Sequence, residues 1–112
     1  MKDPKVIRNR EDFSRLFKKG KSVPSRCVVM IYTENGLPYS RRAFLASKKV
    51  GNSVQRHRAV RLMRESFRQI SSEHTLKEGK DFLFIARSTI LDLKCADVKK
   101  AIEAAMKRES CI

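Results

Sequence analysis

The sequence contains no tryptophan, only four glycines and three prolines, and no apolar run longer than the six residues Cys27–Tyr32. A membrane-crossing helix needs about 20 apolar residues in a row, so no membrane partner is expected. The opening MKDPKVIRNR has no apolar core segment, predicts no signal peptide, and points to a cytoplasmic protein. Cysteine is scarce and odd in number. Cys27, Cys95 and Cys111 are too far apart for a CxxC metal site, give no disulfide framework, and fit reduced thiols. No repeat, low-complexity stretch or linker interrupts the 112 residues, so residues 1–112 are read as a single domain.

Catalytic groups are equally thin. There are two histidines, His57 and His74, and the latter lies in a polar stretch that suggests simple solvation. No HExxH, Gly-x-Ser-x-Gly or P-loop pattern occurs, and no close Asp/Glu cluster that would hold Mg²⁺. The chain alone reads as a binding protein, with no catalytic residue, no metal ligand and no small-molecule substrate. Acids are outnumbered, 12 against 26 Lys/Arg, leaving a net charge of +14 and a pI near 10.3. With membrane insertion set aside, a nucleic acid is the partner this balance favours.

The excess is concentrated between Arg41 and Arg68, where nine Lys/Arg face the single acid Glu65. After the chain-breaking Gly51-Asn52, a helix is predicted over Ser53–Ser71. At 100° per residue, Ala59, Leu62, Met63, Ser66, Phe67 and Ile70 form its core stripe. His57, Arg61, Arg64 and Arg68 fall on roughly the opposite face, flanked by Arg56 and Arg58. A solvated helix normally alternates charge sign, whereas this face repels itself unless a polyanion covers it. Arginine suits that task, because its planar fork matches phosphate and stacks on bases. Gly51-Asn52-Ser53 at the helix start, beside Lys48 and Lys49, adds a weak phosphate-binding signal.

Around this helix the pattern predicts a first helix over Arg10–Lys19, capped by Asn9 and ended by Gly20. A very short edge strand over Lys21–Pro24 follows, since Pro24 bars a central position, and then a strand over Arg26–Thr33. Asn35-Gly36 and Pro38 predict a hairpin loop over Glu34–Ser40 leading to a partner strand, Arg41–Lys48. Beyond the arginine-rich helix come a strand over Asp81–Arg87, a loop through Leu93, and a helix over Ala96–Arg108. The last has a core stripe of Val98, Ala101, Ile102, Ala105 and Met106. The expected class is α+β, helices packed on one small sheet. Phe13 and Phe17 share a face of the first helix, a pattern that ordinarily marks core.

The run Lys48-Lys49-Val50-Gly51-Asn52, followed by Arg56-His57-Arg58-Ala59-Val60-Arg61-Leu62-Met63-Arg64, resembles the signature of the bacterial ribonuclease P protein component. Asp12–Ser22 resembles that family's first helix and turn, and Gly79–Arg87 its last strand. His57 stands where the family usually has Asn, which would make RNA affinity mildly pH-dependent. Val60 replaces the usual Lys and removes one cationic contact.

The resemblance implies a two-layer α/β sandwich with a small mixed sheet in the order α-β-β-β-α-β-α. It also implies a left-handed βαβ crossover, against the right-handed rule. It implies a protein subunit that assists a catalytic RNA in the Mg²⁺-dependent removal of the 5′ leader from precursor tRNA. The Mg²⁺ would be bound mainly by the RNA. Lys48, Lys49, Asn52, Arg56, His57, Arg58, Arg61, Arg64 and Arg68 would contact the ribonuclease P RNA. A cleft of Phe13, Phe17, Tyr32 (or Ile31 in its place) and Lys48 would hold the single-stranded leader.

Two other classes share parts of the pattern. A major-groove DNA reader would mix Asn, Gln, Ser and Thr among its arginines, which this face does not do. An RNA chaperone or ribosome-associated RNA-binding protein would show the same charge and aromatics, and only the ordered family match argues against it.

Overall fold

In the computed structural model, which describes residues 3–112, the elements follow the expected order. They are α1 (Arg10–Lys19), β1 (Lys21–Pro24), β2 (Val28–Glu34), β3 (Arg41–Leu45), α2 (Ser53–Glu73), β4 (Lys80–Ala86) and α3 (Cys95–Arg108), with a 3-10 turn over Ser88–Asp92 before α3. The sheet order is β1-β2-β4-β3. Pro24 sits on edge strand β1, where its missing N–H costs no ladder bond.

The predicted hairpin between β2 and β3 does not form. β2 is paired on one side by β1 and on the other by β4, both antiparallel, while β3 runs parallel to β4. The turn residues serve a different purpose. Asn35 Nδ2 donates to the Tyr39 carbonyl at 3.1 Å and to Asp81 Oδ1 at 2.9 Å, tying the loop to β4. β4 is the central strand, and its alternation is filled with apolar groups on both faces. Phe82 and Phe84 enter the main core with Met30, Met63, Phe67, Ile102 and Met106, while Leu83 enters a smaller one with Leu16, Ile31, Ala43 and Ile7. Accordingly α2 and α3 cover one face of the sheet, and α1 lies across the other. β3 stops at Leu45 rather than Lys48, because Lys48–Val50 turn into α2.

The hand of β3–α2–β4 follows from the hydrogen bonds. Phe44, and Arg42 two residues earlier, project to the α2 side. Arg42 uses its own N–H and C=O outward, toward the Lys5 carbonyl and the Ile7 amide, both at the free edge of β3. For L-residues with side chains facing the viewer and the strand pointing up, those backbone groups point right. The free edge is therefore on the right and β4 on the left. With α2 in front, the crossover is left-handed, as the resemblance implies and contrary to the usual rule.

Two glycines are fixed by geometry. Gly51 has φ +152°, and a Cβ there would lie 2.0 Å from Gln55 Oε1, the group that completes the α2 cap. Gly20 ends α1 in extended rather than left-handed conformation. Its need is space, since a Cβ would lie 2.4 Å from the Leu16 carbonyl oxygen and 2.5 Å from Ile31 Cγ2. Asn9 occupies the N-cap position of α1 without a side-chain capping bond.

Candidate nucleic-acid interface

α2 presents its core stripe, Ala59, Met63, Ser66, Phe67 and Ile70, to the sheet and α3. Its outer side carries His57, Arg58, Arg61, Arg64 and Arg68, all exposed, with Arg56 half-buried and reaching the Gly51 carbonyl oxygen at 3.5 Å. Among the described residues, Arg56, Arg58, Arg61 and Arg64 have no acidic partner. Arg68 differs: its Nε donates to Glu65 Oε2 at 2.9 Å. Those hydrogen bonds, with one from Gln69, hold the Glu65 carboxyl down at about 2. Arg68 is thus partly neutralised before any ligand arrives, and the free row is Arg58, Arg61 and Arg64.

At the helix start, Asn52 Oδ1 accepts from the Gln55 amide at 2.9 Å, and Gln55 Oε1 accepts from the Asn52 amide at 2.8 Å. This reciprocal cap occupies two groups that would otherwise face an anion. Asn52 is therefore a structural cap first. Lys48 and Lys49 are exposed in the turn before it, three and four residues beyond Leu45.

The second surface lies across the sheet. Leu16 is fully buried against Ile31, Leu83 and Ala43, and Phe13 is half-buried beside them. The next cross-strand row, Val29–Ile85–Leu45, is only partly covered: Val29 and Ile85 are half-buried, and Leu45 is 38% exposed. Phe17, one turn beyond Phe13, is 58% exposed. A phenyl ring that open contributes little to the core, so the ordinary reading of a paired Phe motif as core holds for Phe13, which packs on the smaller core, and fails for Phe17. At the β3 end, Phe13 lines a groove of about 460 Å³ with Arg42, Leu45 and Arg64.

Tyr32 is not part of this surface. It projects to the opposite face, where its hydroxyl donates to Glu109 Oε1 at 2.7 Å and its ring lies 6.3 Å from that of Phe82. Ile31, the alternative, faces α1 but is buried. Both parities of β2 are apolar, so sequence alternation could not decide between them. Val29, Ile85 and Leu45, which the sequence reading did not single out, share this face and are partly exposed.

α1 is held in place by a buried carboxylate. Asp81 is fully buried and accepts from Arg41 Nε at 2.8 Å, Arg41 Nη2 at 2.7 Å and Arg15 Nη2 at 2.9 Å, besides Asn35. Arg41 also reaches Asp12 at 3.2 Å. Two residues of α1 are thereby locked to two strands. The signal in the sequence was the single acid opening an otherwise apolar strand. His74, expected to be free, caps the C-terminus of α2 and hydrogen-bonds Glu103 at 2.7 Å.

A family model described as Ribonuclease P matches residues 1–110. The ribonuclease P protein component of Caldanaerobacter subterraneus subsp. tengcongensis is 38% identical over 91% of this chain and 86% of its own length. That of Alkaliphilus oremlandii is 37% identical over 100% and 96%. The fold superposes on the RNase P protein of Staphylococcus aureus with a TM-score of 0.83 at 29% identity, covering 97% of this chain and 98% of that one. For the Thermotoga maritima RNase P protein the values are 0.80 and 28%, covering 92% and 96%.

Proposed function

The chain belongs to the ribonuclease P protein family, and from that premise we propose how its two surfaces divide the work. It is the protein subunit of ribonuclease P, binding the catalytic RNA subunit and precursor tRNA and assisting endonucleolytic removal of the 5′ leader, with the chemistry on the RNA. The residue assignment is our reading. Arg56, Arg58, Arg61 and Arg64, helped by Lys48, Lys49 and His57, hold phosphates of the RNA subunit. Asn52 shapes the helix start, and Arg68 contributes less because Glu65 already engages it. Phe17, Phe13 and the Val29–Ile85–Leu45 row receive the leader, and Lys48 lies between the two surfaces. Tyr32 has no part in it.

The observation that carries this reading is the exposure of Phe17 beside an incompletely covered apolar row, on the opposite face of the sheet from α2. A ring offered to solvent can stack on any base, which suits a leader of varied sequence.

Ribonuclease P catalysis depends on Mg²⁺, an ion that demands near-octahedral oxygen coordination. Among the described residues, one His/Cys/Asp/Glu group converges, Glu73, His74 and Glu103. It offers one nitrogen and two carboxylates, with Glu73 paired to Lys99 and Glu103 to His74. That set does not fit Mg²⁺, and we assign the ions to the RNA subunit. No helix among the described residues is long and apolar enough to cross a membrane, and we propose that the protein works in the cytoplasm.

Reconstitution tests the whole reading. The purified chain alone should leave precursor tRNA intact; with a ribonuclease P RNA it should support 5′ maturation at Mg²⁺ concentrations where the RNA alone is inactive. Metal-dependent cleavage by RNA-free protein, or no effect on the RNA's Mg²⁺ requirement, would overturn it.

A further inference from the structure

Beside the arginine row, on the α2 side of the sheet, lies a groove of about 580 Å³ that shares Arg64 and Arg68 with that row. Its lining includes Phe44 and Phe67, Leu76, the hydroxyl residues Ser71 and Thr75, the cations Arg64 and Lys5, and Arg42, which is paired to Asp3 at 3.3 Å. We propose that this groove receives one unstacked nucleotide of the RNA subunit, its base on the Phe44–Leu76 floor and its phosphate on Arg64. The inference rests on the reading that α2 faces that RNA.

Three features select this occupant. The volume falls within the range of about 300–1,000 Å³ usual for small-ligand sites, enough for a nucleotide. The floor is aromatic yet not sealed: Phe44 is half-buried, packed edge-on to Phe67 with centroids 6.0 Å apart and stacked on Phe84 at 5.6 Å. Phe44 is therefore held rigidly while part of it stays open to a flat apolar group. The rim is polar in the manner a base and phosphate require. Arg64 has no acidic partner among the described residues and also lines the Ser53–Arg61 groove along α2, so an RNA strand on the arginine row reaches the mouth directly. The exposed Ser71 and Thr75 hydroxyls and the Glu78 carboxylate, one oxygen of which accepts from the Ser40 amide at 3.1 Å, can meet the edge of a base. A bare anion would need none of the apolar floor, and an apolar peptide would gain nothing from Arg64.

The groove adjoins the Phe13 groove at Arg42, Phe44 and Arg64, but Ser71, Thr75 and Leu76 line it alone and Phe17 lines neither, so changes at Ser71 and Thr75 separate it from the leader surface. Ser71→Trp, at an exposed helix position, fills the groove while leaving Arg58, Arg61 and Arg64 in place. Thr75→Glu, outside the helix, repels a phosphate there and serves as the second variant should the first lower the melting temperature.

The test has two arms. In NMR titrations of the full chain, AMP should shift resonances of Phe44, Ser71, Thr75 and Leu76. Adenosine should shift the floor more weakly, inorganic phosphate should shift only the Arg64 side, and Ser71→Trp should abolish the AMP response. In binding to the ribonuclease P RNA, each variant should weaken affinity about tenfold, the scale of one lost base stack. The ratio of precursor to mature tRNA affinity in the reconstituted enzyme should stay unchanged. Wild-type RNA affinity in both variants, or AMP and inorganic phosphate shifting the same residues, would overturn the proposal. Arg61→Ala is the control for the underlying reading. If that variant also binds with wild-type affinity, the arginine face itself is not the interface, a different failure from an unused groove.

Discussion

Asp81 shows how much one side chain can decide. Removing one partner of a buried charge pair costs about 3–5 kcal/mol, and Asp81→Ala would leave Arg41 and Arg15 to share Asp12. We expect a loss of that order in urea unfolding, with leader binding impaired because α1 is no longer anchored. Burial pushes the Asp81 carboxyl up, but the hydrogen bonds from Arg41, Asn35 and Arg15 outweigh it and hold it below the usual carboxylate range. A carboxyl depressed on folding stabilises fully above its unfolded value near 4 and loses that contribution as pH falls through the folded value. Unfolding free energy should therefore drop below about pH 4, and Asp81→Asn should flatten that acid limb. Tyr32 offers a second check on placement. Its hydrogen bond to Glu109, then burial, pushes the phenol up to about 12. An ultraviolet titration should show this late ionisation, and Glu109→Gln should bring it down; ordinary titration in the wild type would return Tyr32 to an open site. The sequence could not place Tyr32, because Val29, Met30 and Ile31 leave β2 without a polar face to read. Nor could it separate Phe13 from Phe17, whose i, i+4 spacing is the same whether the face is covered or bare.

Among the elements, α2 was the most legible. Its start, its core stripe and its arginine face all follow from 3.6-residue periodicity and from Gly51-Asn52, and the helix runs only two residues further than predicted. Asn52→Ala should lower stability by about 1 kcal/mol through loss of the cap, read from a denaturation curve. Binding to the RNA subunit should weaken steeply with salt, as phosphate contacts release counterions. Arg61→Ala should reduce the slope of log affinity against log salt by about one contact, whereas Arg68→Ala should change it less, since Glu65 already holds that guanidinium. Equal slopes for wild type and Arg61→Ala would remove Arg61 from the interface. The β2–β3 connection was misread for a local reason. Asn35-Gly36 signals a reversal, but a turn cannot say which strand the next segment will join. The continuous apolar run in β4 was the better guide, because a strand apolar on both faces belongs in the middle of a sheet.

At the scale of the molecule, the sheet stands between the two surfaces we propose for nucleic acid. The arginine row rides on α2 over one face, and the proposed leader surface lies on the other beside α1, a helix of only 10 residues. Arg64, which lines both the groove along α2 and the groove beside Phe13, stands where the two approach each other. The central claim is that each surface can be damaged without the other, and the most direct measurement is the affinity of an enzyme reconstituted with Phe17→Leu for precursor and for mature tRNA. Stacking on an aromatic ring is worth about 1–3 kcal/mol per base. Precursor with a leader of several nucleotides should therefore bind about tenfold more weakly, while mature tRNA, the melting temperature and affinity for the RNA subunit stay at wild-type values. Equal loss for both tRNAs together with a lower melting temperature would make Phe17 a packing residue and contradict the account.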